Sequence, residues 1–223
     1  MAYNNGSFLQ SIPPVTRNLL IVNVIMFVAT LINPEFMKGT FSMAFPLATD
    51  FRWWQPLTHM FMHDGFFHIF FNMYTLVMFG MVVERVLGTK KFLWFYFITG
   101  FGAVALHIGV EFLQVQELLK QYPGVAPQAI YNSVPGVLGA SGAVYGVLVA
   151  FAMLYPEARL TLIFPPITLD AKWWVIIFIG IELVTGITGT QMGVAHFAHL
   201  GGALFGWLLI RYWKKKGQIY RGW

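Results

Sequence analysis

Six apolar runs dominate this 223-residue chain: Leu19 to Ile32, Phe66 to Val83, Phe92 to Phe112, Val137 to Leu154, Trp173 to Ile187 and Val194 to Trp213. Each is long enough, or nearly so, to be read as a helix crossing a hydrocarbon core of about 30 Å. Three are short or interrupted by glycine. Lipid tolerates that only where neighbouring helices cover the backbone, so a compact bundle is predicted. At 57% hydrophobic and 10% charged residues, the chain has too little polar surface for a water-soluble monomer. The expected fold class is all-α: a polytopic membrane protein of six transmembrane helices. It is read as one domain over 1–223, with its core at about 17–213 and a short basic tail at 214–223.

Six spans place both termini on one side, and the basic residues choose which. Arg17, Arg85, Lys90, Lys91, Arg159, Lys172, Arg211, Lys214, Lys215, Lys216 and Arg221 flank one side, against Lys38, Arg52 and Lys120 on the other. Both termini are therefore expected in the cytoplasm. The net charge of +5 belongs to these membrane flanks, and no nucleic-acid partner is expected. A signal peptide at the first span is the lesser reading, because no small-x-small cleavage site follows it. The outer side then carries a loop from about Asn33 to Gly65, whose Phe36, Phe41, Phe45, Phe51, Trp53 and Trp54 are expected in the membrane interface. The stretch Gln114 to Pro135 reads as a polar loop. With no cysteine present, disulfides, thiolate nucleophiles and Cys-based zinc sites are excluded.

Polar groups inside spans are candidates for function because lipid penalises them. His68, Asn72, Ser141, His199 and Tyr145 are the strongest set. The second, fourth and sixth helices run from outside to inside, and these residues fall within their first two turns, roughly 3 to 10 Å below the outer end. Gly139-Ala140-Ser141-Gly142 opens the fourth helix with an accessible hydroxyl and unpaired amides that favour developing negative charge. The competing reading is close helix packing through Gly139, Gly142 and Gly146. In the sixth helix His199 shares a face with Gly202 and Gly206. Pressing Gly202-x-x-x-Gly206 against Gly142-x-x-x-Gly146 would bring His199 within reach of Ser141, a base beside a hydroxyl nucleophile. Tyr145 is either a core aromatic or a ring packed on the imidazole. His68 and Asn72, at i and i+4, either hold an oxyanion with the Ser141 amide or form a structural polar network.

These residues resemble the rhomboid family of intramembrane serine proteases. The resemblance rests on His59-x-x-x-His63-x-x-x-x-His68-x-x-x-Asn72, Gly139-Ala140-Ser141-Gly142 and Ala198-His199-x-x-Gly202-x-x-x-Gly206, in order over roughly Trp53 to Gly206. It implies a Ser141-His199 catalytic dyad and an oxyanion hole from His68, Asn72 and the Ser141 amide. It also implies Tyr145 stacked on His199, His63 organising the first loop, and Gly139 and Gly202 in support. Glu84 and Gly88 look like the family's structural Glu and Gly. His196 also precedes a glycine-rich stretch, but the motif register selects His199. Trp54-Gln55 stands where the family usually has Trp-Arg, which puts the first-loop contacts of that arginine in doubt.

No Asp or Glu is placed in the sequence to orient His199, so a dyad is expected. Glu182, about ten residues into the fifth helix, is read as near the midplane, deeper than the site. Its main reading there is structural pairing; the other is an influence on the site or on substrate access. Glu111, near a span end, is read as wet. The expected activity is hydrolysis of a peptide bond in or beside a substrate's transmembrane helix, after local unwinding. Helix-breaking residues and a small residue before the scissile bond are the expected preferences. No cofactor and no metal are expected, and the partners are transmembrane substrates and the bilayer. The fifth helix, or the loop Thr188 to Gly193, is expected to gate access. The expected location is a bacterial cytoplasmic membrane, with the site opening to the other side. Two rivals remain: a catalytically silent relative that binds transmembrane helices, and a metal transporter or metalloprotease using His59-x-x-x-His63 and His196-x-x-His199. The second lacks an H-E-x-x-H motif and intramembrane carboxylate sets.

Overall fold

The computed structural model describes residues 8–162, 165–189 and 195–219, and each of the six predicted apolar runs contains a helix, the fourth starting only at Ser141 and the sixth at His196. They are α1 (Pro14–Ile32), α2 (Phe66–Leu87), α3 (Thr89–Gln121), α4 (Ser141–Leu154), α5 (Ala171–Thr188) and α6 (His196–Lys215). By length and composition α1, α2, α3 and α5 can each cross a membrane. Helix α4 is shorter, and α6 is diluted by His196, His199 and Arg211. Residues 190–193 of the expected gating loop, and the tail from 220 onward with Arg221, lie outside the described residues.

Helix α4 is the axis of the bundle. Its 14 residues rise only about 21 Å, and Val144, Val147, Ala150 and Leu154 are buried against Leu76, Phe92, Phe95 and Ile210. Small residues make the close approach possible. An added Cβ on Gly146 would lie 2.7 Å from the Thr99 side chain of α3, and one on Gly201 of α6 would lie 2.8 Å from the Gly102 carbonyl of α3. Helices α3, α4 and α6 thus form a tight core. Helices α1 and α5 line its outside and expose Ile25, Leu31, Ile32, Ile176, Val184 and Ile187. Such apolar faces are stable against lipid and not against water.

Helix α1 is held by a charge from another span. Buried Glu84 accepts from the Val15 amide at 3.0 Å, the Thr16 amide at 2.8 Å and the Thr16 hydroxyl at 2.8 Å. It thereby satisfies amides that the start of a helix leaves unpaired, at the end where negative charge is favoured. Gly88, at φ 78°, makes the turn between α2 and α3, a backbone conformation open mainly to glycine.

Three loop expectations are corrected. Gln114 to Pro135 is mostly helical, not a polar loop: α3 runs to Gln121, and a further helix spans Pro127–Ser133. Val115 and Ile130 from this region bury themselves with Phe45, and that apolar contact stabilises helix where the polar composition suggested coil. Phe45 is consequently core, its ring tilted against Phe112 and Tyr131, and does not face the interface, whereas Phe36 and Trp53 are exposed. Glu111 is buried with His107 at 3.1 Å, because α3 continues past the expected span end. Between α4 and α5 a short hairpin pairs β1 (Arg159–Thr161) with β2 (Thr168–Asp170), Arg159 opposite Asp170.

Candidate active site

The first loop braces the chain that leads into α4. Met43 and Val137 exchange backbone hydrogen bonds at 2.8 Å each, and the Gly139 amide donates to the His59 carbonyl at 2.9 Å. Gly139 then turns at φ 135°, and Ser141 begins the helix. The fully buried Gln55 organises this loop. Its Oε1 accepts from the Ala44 amide at 3.2 Å and the Arg52 amide at 3.1 Å, and its Nε2 donates to the Asp50 carbonyl at 3.0 Å. A buried neutral amide thus bonds three backbone groups of the loop at the position where the family usually has arginine.

Across from Ser141, α6 lies almost in backbone contact with α4: a Cβ on Gly202 would sit 1.8 Å from the Gly142 carbonyl oxygen, and one on Gly206 would sit 2.8 Å from the Gly146 Cα. That approach puts His199 Nε2 2.8 Å from Ser141 Oγ. The Tyr145 ring stacks on the imidazole, with centroids 4.4 Å apart and planes 8° from parallel. His196 faces elsewhere: its Nδ1 lies 2.6 Å from Glu182 Oε2 and 3.1 Å from Thr185 Oγ1.

The structure pairs Glu182 as expected but corrects its depth and the expectation that no acid meets His199. Its Oε1 lies 2.8 Å from His199 Nδ1 and accepts from the Tyr145 hydroxyl at 2.5 Å, so a carboxylate does contact the imidazole beside Ser141. The sequence reading measured depth from the inner end of the fifth helix. Counted from the C-terminal end of α5, Glu182 lies six residues from Thr188, about 9 Å along the helix, level with the first turns of α4 and α6. That count was the available signal.

His68 and Ser141 border one small space. The point that a Cβ on Gly139 would occupy lies 2.9 Å from His68 Nε2 and 3.4 Å from Ser141 Oγ. The Asp64 amide donates to His68 Nδ1 at 3.3 Å, so the neutral ring carries its proton on Nε2, facing that space. Asn72 is one turn away, and its Nδ2 donates to the His68 carbonyl at 2.8 Å, not to Ser141. One of its two N–H groups is used there and one remains for another acceptor. Buried His63 meets His68 edge to face at 4.9 Å. Burial, with the neighbouring His68 adding to it, pushes the His63 pKa down to about 3. Burial likewise lowers that of His59 to about 4. Both imidazoles are neutral structural groups, and His59 spends Nδ1 on the Gln55 carbonyl at 3.0 Å.

A separate small cavity touches Ser141, is lined by His59, Leu138, Gly139, Ala195 and Ala198 but by neither His68 nor His199, and holds only about 10 Å³. That is roughly the minimum for one water. A larger cleft of about 410 Å³ separates α5 from α4 and α6 deeper in the bundle, between Val149, Ile176, Ile179, Leu204 and Trp207. It is mainly apolar, with Lys172 among its lining residues, and none of Ser141, His199, His68 and Asn72 lines it. Among the described residues no group of three or more His, Asp or Glu is arranged to hold a metal ion.

A hydroxyl, an imidazole and a ring N–H converging at one level is the arrangement for acyl transfer. Comparison with known proteins identifies its relatives. The family profile described as Rhomboid domain matches residues 50–216. The chain belongs to the rhomboid family. This rhomboid is 33% identical over 173 residues to the mitochondrial presenilin-associated rhomboid-like protein of Bos taurus, covering 75% of the chain and 41% of that protein. It is 29% identical over 159 residues to the rhomboid protease AarA of Providencia stuartii, covering 70% of the chain and 54% of AarA. With the mitochondrial rhomboid protein 1 of Saccharomyces cerevisiae it shares 29% over 163 residues, covering 71% and 42%. This rhomboid thus spans about two fifths of the length of the mitochondrial relatives and about half that of AarA. Its membrane architecture is helical and multi-pass.

Proposed function

We propose that this rhomboid is an intramembrane serine endopeptidase that hydrolyses peptide bonds in or next to transmembrane helices. The observation that carries the reading is the 2.8 Å contact between His199 Nε2 and Ser141 Oγ. One relative's name, rhomboid protease AarA, supports it.

In this reading Ser141 Oγ attacks the scissile carbonyl carbon while its proton passes to His199 Nε2. The carbonyl π electrons move to the oxygen, which the His68 Nε2–H, the Ser141 amide and the free N–H of Asn72 stabilise. On collapse the C–N bond breaks, and His199 gives its proton to the leaving amine. Water then attacks the acyl-enzyme, loses a proton to His199, and the Ser141 hydroxyl is regenerated. Tyr145 keeps the imidazole plane fixed, and His63 and Gly139 hold His68 and the loop in place. No cofactor enters these steps. The substrate must be unwound, because a helix hides its carbonyls in hydrogen bonds. It must also reach Ser141, and the loosely packed α5 is the element we propose moves.

The partners are transmembrane proteins and the bilayer. The location we propose is a bacterial cytoplasmic membrane, with both termini in the cytoplasm and the site opening to the opposite side. The basic-residue asymmetry supports that orientation.

The test is cleavage of a model transmembrane substrate by purified protein in detergent, comparing wild type with Ser141→Ala, His199→Ala and His196→Ala, each with and without chelator. Product that survives chelator and persists in His196→Ala, but is lost in the other two variants, is expected. Chelator-sensitive product indifferent to Ser141→Ala would contradict the serine mechanism. Absence of wild-type product would favour a silent helix-binding relative.

A further inference from the structure

Helix α5 touches the bundle sparingly: Ala171, Trp174 and Glu182 are its buried positions. The first two lie near its inner end, so Glu182 is its buried anchor in the outer half. A carboxylate there meets the strong penalty that lipid and protein interiors place on charge unless it is fully bonded. The bonding is complete. Oε1 faces His199 Nδ1 at 2.8 Å and the Tyr145 hydroxyl at 2.5 Å, and Oε2 faces His196 Nδ1 at 2.6 Å. Three donors converging on two oxygens is the pattern of an ionised, acceptor-only carboxylate.

That pattern dictates where the protons sit. A neutral imidazole has one N–H and one lone pair. With its proton on Nδ1, directed at Glu182, His199 has its lone pair on Nε2, directed at the Ser141 hydroxyl 2.8 Å away. The opposite tautomer would place an N–H against the hydroxyl and a lone pair against a carboxylate, and it could not accept the serine proton. We propose that Glu182 is the positioning residue of His199, converting the expected pair into a Ser141-His199-Glu182 triad. This rests on the proteolytic reading above and names a group that it did not include.

Two consequences distinguish positioning from mere packing. First, Glu182 selects the reactive tautomer and sits beside the positive charge created when His199 takes the serine proton, so it acts on turnover and not on substrate binding. The proton stays on His199 throughout; the carboxylate only faces the charge. Second, the triad spans three helices, and Glu182 rides on the helix proposed to move. Displacing α5 withdraws the carboxylate, so the chemical step takes place with the outer half of α5 seated. The second oxygen faces His196 Nδ1 at 2.6 Å and takes no part in directing the His199 proton.

The experiment compares wild type, Glu182→Gln and Glu182→Asp in detergent, using a fluorescent model transmembrane substrate and a fluorophosphonate probe of serine nucleophilicity. Glutamine keeps the size and can still bond Tyr145, but it can offer His199 an N–H and stabilise the unreactive tautomer. The expected result is a fall in kcat of about 10²-fold or more with KM within about threefold, slower probe labelling by a similar factor, and partial recovery of kcat in Glu182→Asp. If wild type is active and Glu182→Gln matches it, or loses only KM, the positioning role is overturned while the proteolytic reading stands. If wild type neither cleaves nor labels, both fall. Should Glu182→Gln not fold, nitrogen NMR of 15N-histidine wild type decides, with the His199 signal assigned through His199→Ala. A proton on Nδ1 is expected, and a proton on Nε2 overturns the proposal.

Discussion

Gly202 and Gly142 meet so closely that a single methyl group on Gly202 would lie 1.8 Å from the Gly142 carbonyl oxygen. Backbone cannot yield as a flexible side chain can, so α4 and α6 must part if Gly202 gains a Cβ. The same contact sets the separation of Ser141 from His199. Gly202→Ala is therefore expected to lower the thermal midpoint measurably, overpacking of this kind costing about 1–3 kcal/mol, and to reduce proteolysis at least tenfold. Gly180→Ala, where nothing lies within 4 Å of an added Cβ, is the control and should leave both unchanged.

Glu84 ties the start of α1 to α2 through three hydrogen bonds. Bonds to a charged group contribute about 1.5–3 kcal/mol each when removal strands a buried partner. Glu84→Ala should therefore lower the thermal midpoint by more than Gly202→Ala while leaving kcat at low temperature within a few-fold, since Glu84 contacts neither Ser141 nor His199. A thermal ramp with an activity assay at a temperature where the variant stays folded checks this.

Stability should fall as the medium becomes acidic, with a slope traceable to the first loop. Folded His63 and His59 titrate near 3 and 4, whereas an unfolded histidine titrates near about 6.5. Between those limits the unfolded chain binds more protons, and stability decreases as pH falls. Above about pH 7 both states are neutral at these positions and the contribution is constant. Thermal midpoints across pH 4 to 8 should flatten in the double variant His59→Gln, His63→Gln relative to wild type, beneath whatever constant loss the substitutions bring.

The proposed movement of α5 can be tested with a tether, helped by a chain that has no cysteine of its own. A Cβ on Gly186 would lie 3.1 Å from the His196 Cβ, close to the distance a disulfide bridges. In Gly186→Cys with His196→Cys, oxidation should suppress cleavage of a transmembrane substrate and reduction should restore it. Equal cleavage in both states would mean that access does not require the outer half of α5 to leave α6. The comparison is internal to one variant, so the loss of His196 does not confound it.

Much of the site was legible because helical arithmetic is local. The i, i+4 spacing places His68 and Asn72 on one face, the Gly-x-x-x-Gly pairs identify the α4–α6 contact, and the rise per residue brings Ser141 and His199 to one level. Glu182 escaped because ten residues from the N-terminal end of its helix reads as the midplane, whereas the other end lies only six residues away. The outer part of α3 escaped for a different reason. Its polar residues hid Val115, Leu118 and Leu119, whose i, i+3, i+4 spacing faces Phe45 and Ile130. Gln55 was legible as a departure from the family pattern, but its three backbone bonds could be seen only once the loop was folded around it.

In the proposed mechanism His199, and not His196, makes Ser141 a nucleophile. Its most direct test is intact-mass measurement after exposure to a fluorophosphonate, which needs no knowledge of the natural substrate. One adduct on wild type, mapped to Ser141 and retained in His196→Ala but slowed at least 10²-fold in His199→Ala, is the predicted result. Labelling of His199→Ala at the wild-type rate, or an adduct on any other residue, would contradict it.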